Sequence, residues 1–286
     1  MVSPAVSDLT RTTRVAAVQL CATPDVAANL ATSADLVGQA CDAGAEVVML
    51  PEAFAFLGPE KLKRELLEPL PSEPGGAAGP ILERCREIAH TNGCELLLGG
   101  FHEACSDPDK SFNTCIYLSR TGEILASYRK IHLFDVALAD GTQLRESART
   151  LAGDQVVTAD LPCGKLGLSI CYDLRFPYLY QRLVDQGAIA LTVPSAFTAT
   201  TGAAHWHTLL RARAIECQSY VIAPAQHGHN WGKRHSYGHS LIVNPWGEII
   251  AECDQGDGFA VADIDPSLVA KVRSELPSLD HRRSLE

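Results

Sequence analysis

Three apolar runs in this chain each end on a side chain able to do chemistry. VVMLPE stops at Glu52, ILASYRK reaches Lys130 and LGLSIC stops at Cys171. A reactive group at a strand end sits on rigid backbone beside loops, where pockets form. The three types make a coherent set. A thiol with a pKa of about 8.5 is mostly protonated at neutral pH and needs a base to become a nucleophile. Glu52 can take that proton and return it to a leaving amine. Lys130 can place an ammonium on a tetrahedral oxyanion, and the backbone N–H of Tyr172, just after the thiol, can be the second donor. The chemistry is acyl transfer through a thioester, most simply hydrolysis of an amide or nitrile. It requires no cofactor and no metal. Spacing alone leaves plainer roles open: a helix cap or surface carboxylate for Glu52, a surface lysine for Lys130 with Arg129 equally able to serve, and a core thiol for Cys171.

The elements that must hold these groups alternate between strand and helix. RVAAVQL (14–20) reads as a strand, followed by a helix across NLATSADLVGQACDAGA with Gly44 at its C-terminus. EVVMLPE is a strand, LEPLPSEPGGAAGP a surface loop, ILERCREIAHTNG a helix ending at Gly93 and CELLLGGF a strand. NTCIYLS and ILASYRKIHLF form a hairpin about RTGE. FDVALADGTQLRESART reads as a long ordered loop, and VVTADLP with LGLSICYD as a second hairpin. Pro177 opens a short helix, AIALTVPSAF is a strand and GAAHWHTLLRARAIECQS an amphipathic helix. YVIAPAQHG is one strand, HSLIVNPWGEIIAECD a third hairpin turning at N-P-W-G, FAVADID the last strand and PSLVAKVRSEL the last helix. Hairpins mixed with β–α units predict an α/β fold, a pair of mixed sheets covered by helices in one domain spanning 1–286. Residues 1–13 read as a flexible extension and 280–286 as a charged tail.

Composition excludes several classes. The 286 residues are 46% hydrophobic, enough for a full core. A net charge of −10 disfavours nucleic acid or an anionic membrane as partner. The ten cysteines are scattered without a C-x-x-C pair, which argues against a zinc ribbon or redox motif and for free thiols in the cytoplasm. No apolar run approaches the ~20 residues of a membrane span, and the N-terminus carries no signal-peptide pattern.

LPEAF around Glu52, YRKIHLFD around Lys130 and GLSICYDLRFP around Cys171 together resemble the three catalytic blocks of the nitrilase, or carbon–nitrogen hydrolase, superfamily, in its order and spacing. The likeness runs from about Arg14 to Arg283. It implies a four-layer α-β-β-α sandwich, a Glu52–Lys130–Cys171 triad, no cofactor, and pairing into homodimers or larger homo-oligomers. It adds a second glutamate, Glu146 in LRES, to position Lys130 and the substrate amide or water. The alternative for Glu146 is a loop carboxylate paired with Arg145 or Arg149.

The C-terminal half, with PSAF, AQHG, SYGHS and HRRS, resembles the branch that includes deaminated glutathione amidase and ω-amidase, and leans toward the former. That implies attack of Cys171 on the carboxamide of a small α-keto acid amide. Arg175, four residues beyond the thiol, then becomes the candidate for the substrate carboxylate. Its alternative is a salt bridge with Asp173 or Glu216. Phe197 and Thr198 are candidates to line the pocket, or are ordinary strand-end residues. HGHNWGKRHSYGH (227–239), with four histidines, reads as a rim or interface loop rather than a metal site. Another small-amide or N-carbamoyl hydrolase is the rival enzyme. A catalytically silent binding protein of the same fold is the rival outside enzymes, and it usually lacks a triad member.

Overall fold

The computed structural model describes residues 11–73, 75–137 and 143–283. Two sheets form its centre. One runs Arg234–Tyr237, Ala225–Trp231, Thr13–Leu20, Val47–Met49, Glu95–Ala104, Ser111–Leu118, Ile124–Arg129, with Gly258–Ile264 also antiparallel to Thr13–Leu20. The other runs Ile249–Glu252, Leu241–Val243, Tyr220–Ala223, Ala188–Thr192, Gly164–Gly167, Thr158–Leu161.

The strand period of two sets the layers. In Thr13–Leu20, Val15 and Ala17 join the core shared with Leu166, Ala190, Val221 and Ile242 of the second sheet. Ala16 and Val18 face the other way, into the core with Leu36, Val37, Leu82 and Ile88 of the helices Val26–Asp42 and Pro80–Asn92. Helices Pro177–Asp185 and Ala199–Cys217 cover the far side of the second sheet. The architecture is therefore the four-layer α-β-β-α sandwich.

Several boundaries differ from the sequence reading, each for a physical reason. Thr13 is already in strand, so the N-terminal extension ends earlier; residues 1–10 lie outside the described residues. YVIAPAQHG is two strands, not one. Pro224, with no N–H to give, breaks the ladder; Tyr220–Ala223 stays in the second sheet and Ala225–Trp231 pairs in the first. The segment read as a long loop holds a short antiparallel pair, Asp135–Ala137 with Gln143–Arg145, while 138–142 lie outside the described residues. The strand before Cys171 ends at Gly167. At the C-terminus, Arg282 Nη2 donates to Asp185 Oδ1 at 2.5 Å, tying that part of the tail to its own chain.

Candidate active site

The first sheet supplies the carboxylate and the ammonium. Glu52 follows Val47–Met49 and bridges Gly100 of the neighbouring strand. Gly100 has no room for a side chain: a Cβ there would lie 2.9 Å from the Glu52 Cγ and 2.9 Å from the Ala53 nitrogen. Glu52 Oε1 accepts from Lys130 Nζ and Asn113 Nδ2, both at 2.9 Å, and Oε2 accepts from the Ala196 N–H at 2.9 Å. Lys130 comes just after Ile124–Arg129, and strand alternation separates it from Arg129. Arg129 points elsewhere, ion-paired to Glu103 and lying over the Phe112 ring. The sequence left those two open, and the geometry divides them.

Glu146 does not pair with Arg145 or Arg149. It receives Lys130 Nζ at 2.9 and 3.2 Å, the Phe134 N–H at 2.7 Å and Asn113 Nδ2 at 3.2 Å. Lys130 thus lies between two carboxylates and is only 2% exposed. Burial pulls its pKa down, but Glu146 and Glu52 overcome that and hold it well above the ordinary lysine value. Burial pushes the Glu52 carboxyl up. The Lys130 charge and hydrogen bonds from Cys171, Lys130 and Asn113 outweigh it, and Glu52 titrates below the usual carboxylate value.

Cys171 comes from the second sheet's side. It opens a 3₁₀ turn, Cys171–Arg175, with φ of 49°. A non-glycine residue in this left-handed region is strained, and here its N–H is held by the Pro194 carbonyl at 3.0 Å. Beneath it, the buried Asp173 accepts from Tyr128 Oη (2.7 Å), the Ile170 N–H (2.9 Å), the His132 N–H (3.0 Å) and His132 Nδ1 (2.6 Å). Those bonds lock the turn to the Lys130 segment. Burial, then the Glu52 charge, push the Cys171 thiol well above its ordinary value, with Lys130 opposing. The resting pair is therefore a thiol facing a carboxylate.

Glu52, Lys130, Glu146 and Cys171 line one cavity of about 440 Å³, with Asn113, His102, Phe134, Trp231 and Arg234 in its walls. Tyr172, Arg175, Phe197 and Thr198 lie on the other side of the thiol, around a crevice of about 10 Å³. Arg175 pairs with neither Asp173 nor Glu216. Its guanidinium stands 5.3 Å from the Phe197 centroid and 5.8 Å from that of Tyr172, donating to His205 Nδ1 at 3.3 Å. Glu216 pairs with Arg213 instead. Thr198 caps the helix Ala199–Cys217, accepting from the Thr201 N–H. The ring of Tyr172 packs against Phe134 and Phe176.

This array, a thiol, a carboxylate and a paired ammonium around one cavity, can run acyl transfer. A family model for carbon–nitrogen hydrolases matches residues 14–274. The chain belongs to the carbon–nitrogen hydrolase family. It is 44% identical over 275 residues to the deaminated glutathione amidase of Bos taurus, covering 94% of this chain and 81% of that one. Nit3 of Saccharomyces cerevisiae, a member of branch 10 of the nitrilase superfamily, superposes with a TM-score of 0.84 at 32% identity, covering 95% and 97% of the two chains. An amidase mutant from Nesterenkonia sp. AN1, carrying the acetamide moiety of fluoroacetamide on its active site cysteine, superposes with a TM-score of 0.75 at 25% identity, covering 96% and 99%. Family membership makes the chain a hydrolase of carbon–nitrogen bonds.

Some members of this hydrolase's site were missed in the sequence. Asn113 bridges both glutamates, Gln226 donates to the Glu52 carbonyl at 3.0 Å, and Arg234 enters the cavity wall. The four histidines of 227–239 disperse. His227 pairs with Asp257, and the His229 and His235 rings lie 4.6 Å apart, tilted by 33°. His239 joins His207 on Glu252, with the three ligand-type atoms within 4.8 Å of one another. Trp206, buried, donates to the His239 carbonyl at 2.8 Å and packs on Phe197. All ten cysteines are free thiols, and no helix among the described residues is long and apolar enough to cross a membrane.

Proposed function

We propose that this enzyme hydrolyses the carboxamide C–N bond of a small α-keto acid amide, deaminated glutathione above all, through a thioester on Cys171. The supporting observation is the geometry: the buried Glu52 carboxylate, held by Lys130, Asn113 and the Ala196 N–H, lines one cavity with the Cys171 thiol, beside an ammonium fixed by two carboxylates. The Cys171 proton passes to Glu52 as sulfur attacks the amide carbon. The oxyanion is met by the Lys130 ammonium and the Tyr172 N–H. On collapse, Glu52 returns the proton to the departing amine. Water then attacks the thioester, giving its proton to Glu52, and the second collapse frees the acid and restores the thiol. Glu146 keeps Lys130 aimed and orients the amide and the water. Arg175, Phe197 and Thr198 shape the narrow side of the site.

The enzyme works as one domain and as a homo-oligomer, in keeping with exposed Tyr178, Ile215 and Trp246 on and beside the outer helices. Free thiols fit the cytoplasm.

The test is 2-oxoglutarate formation from deaminated glutathione and from α-ketoglutaramate, with Cys171→Ala as control. Faster turnover of deaminated glutathione, lost in the variant, is expected. A preference for α-ketoglutaramate would keep the mechanism and make the enzyme an ω-amidase. No product from either would refute the substrate class. Selective iodoacetamide labelling of Cys171, slowed in Glu52→Gln, reads the base directly.

A further inference from the structure

The fold gathers a second group of chemically able side chains that the hydrolysis does not use. His207 comes from the helix Ala199–Cys217, His239 from the turn after Arg234–Tyr237, and Glu252 from the end of Ile249–Glu252. None of the three lines the cavity or the crevice described above. Their ligand-type atoms all lie within 4.8 Å of one another. His207 Nε2 and His239 Nδ1 both meet Glu252 Oε1 at 2.9 Å. Burial pushes the Glu252 carboxyl up, but the two histidines outweigh it and hold it below the ordinary value, so an ionised oxygen accepts from both rings. The geometry is fixed from outside the group. His239 has a φ of 59°, unfavourable for a non-glycine residue, and Trp206 Nε1 holds its carbonyl at 2.8 Å. Gln19 Oε1 accepts the next N–H, that of Ser240, at 2.9 Å. The Tyr237 ring packs on His239 at 4.5 Å between centroids and stands edge-on to His207 at 6.0 Å. Tyr237 is itself seated on Gly202, where a Cβ would lie 2.3 Å from the Tyr237 Cβ.

We propose that His207, His239 and Glu252 form a binding site for a divalent transition-metal ion of the zinc type. Two imidazole nitrogens and one carboxylate oxygen are a donor set that zinc takes, with water in the fourth tetrahedral position. A neutral imidazole carries its one proton on either nitrogen. Moving the protons to His207 Nδ1 and His239 Nε2 turns the two donors into lone pairs aimed where the carboxylate oxygen already is. Ligand atoms on one zinc ion stand about 3.3 Å apart, for bonds of about 2.0–2.2 Å. The 2.9 Å contacts therefore open slightly, and no pair has to close by more than about 1.5 Å. The His207 and Glu252 side chains are 32% and 34% exposed, so the ion and its water enter from solvent. Bound there, the ion clips the helix Ala199–Cys217 to the edge of the second sheet. It stabilises the fold and takes no part in the hydrolysis.

The experiment is calorimetry with Zn²⁺ alone on chelator-stripped protein, with thermal melts alongside. Cys171→Ala serves as the background, so that the nucleophile cannot take the metal. His207→Gln, His239→Asn and Glu252→Gln are added to it singly. Asparagine tolerates the left-handed backbone at 239. Glu252→Gln keeps an oxygen for the histidines and loses the ligand charge, which separates metal binding from plain hydrogen bonding. Circular dichroism checks that each variant is folded. The background protein is expected to bind one Zn²⁺ and to melt at a higher temperature with it. Each substitution should weaken that binding at least about tenfold and remove most of the rise in Tm. Co²⁺ in place of Zn²⁺ reads the donors: a nitrogen and oxygen set gives visible bands without a sulfur-to-cobalt charge-transfer band. No binding by the background protein would overturn the site and leave two histidines hydrogen-bonded to a glutamate. Binding unchanged in His207→Gln and Glu252→Gln, or a charge-transfer band on the first Co²⁺ bound, would place the metal on thiols and overturn it equally.

Discussion

Replacing Glu146 by Gln removes one charge and almost no volume, yet the structure makes it a severe change. Each Glu146 oxygen accepts from two donors: Oε2 from the Phe134 N–H and Lys130, Oε1 from Asn113 and Lys130. A glutamine offers one acceptor and one donor. In either orientation its NH2 meets donors, the Phe134 N–H and Lys130 in one, Asn113 and Lys130 in the other. Asn113 cannot turn to accept, because its NH2 also serves Glu52. The variant loses a charge-assisted hydrogen bond, about 1.5–3 kcal/mol, and buries opposed donors at about 1–3 kcal/mol. Together these come to about 2.5–6 kcal/mol; because Lys130 keeps Glu52, the cost should fall toward the lower end, below the usual stability of about 5–15 kcal/mol. Glu146→Gln should therefore fold, with a lower urea midpoint, and lose at least about a hundredfold in kcat as Lys130 drifts. Glu146→Ala, which leaves space for water to answer the same donors, should be no less stable than Glu146→Gln. Urea titrations and product formation measure both. A Glu146→Gln enzyme within about twofold of wild type in rate and midpoint would refute the view that Glu146 acts as a pure acceptor of four hydrogen bonds.

Two further outcomes follow from single sites. Gly100→Ala places a methyl against the Glu52 Cγ and the Ala53 nitrogen, each 2.9 Å away, and should cost about 1–3 kcal/mol while lowering kcat; full activity would show that the Glu52 segment yields freely. His102 donates from Nε2 to the Phe56 carbonyl at 3.0 Å, and burial, then Lys63, hold its pKa down from 6.5 to about 3. Such a base takes up its proton on unfolding, so stability is full above 6.5 and falls as the pH drops from there toward 3, by up to about 1.4 kcal/mol per pH unit. His102→Gln keeps a donor for Phe56 but binds no proton, so its denaturation midpoint should fall less between about pH 7 and about pH 5. Parallel curves for the two proteins would contradict this.

The sequence carried the strand and helix periods, because alternation and capping are local. It also pointed to Glu52, Lys130 and Cys171, which stand in recognisable blocks and line one cavity. What it hid depends on contacts between distant segments. Nothing near Pro224 says which sheet follows it. The φ of Cys171 is set by packing on Pro194, not by its neighbours in sequence. Arg234 reaches the cavity through the fold, from a segment distant from Cys171 in the chain. Asn113 looked like an ordinary strand residue until two carboxylates from different loops closed on it.

The thiol and its proposed base belong to opposite sheets, Cys171 after Gly164–Gly167 and Glu52 after Val47–Met49. Their meeting is thus a product of tertiary closure alone. On a growing or half-unfolded chain, Cys171 is one sulfhydryl among ten, with no carboxylate to deprotonate it and no ammonium to receive an oxyanion. Long-range pairing of this kind forms late and slowly. On the proposed mechanism the protein arms Cys171 only by finishing its fold, and alkylation confined to this one sulfur marks molecules that have completed their packing.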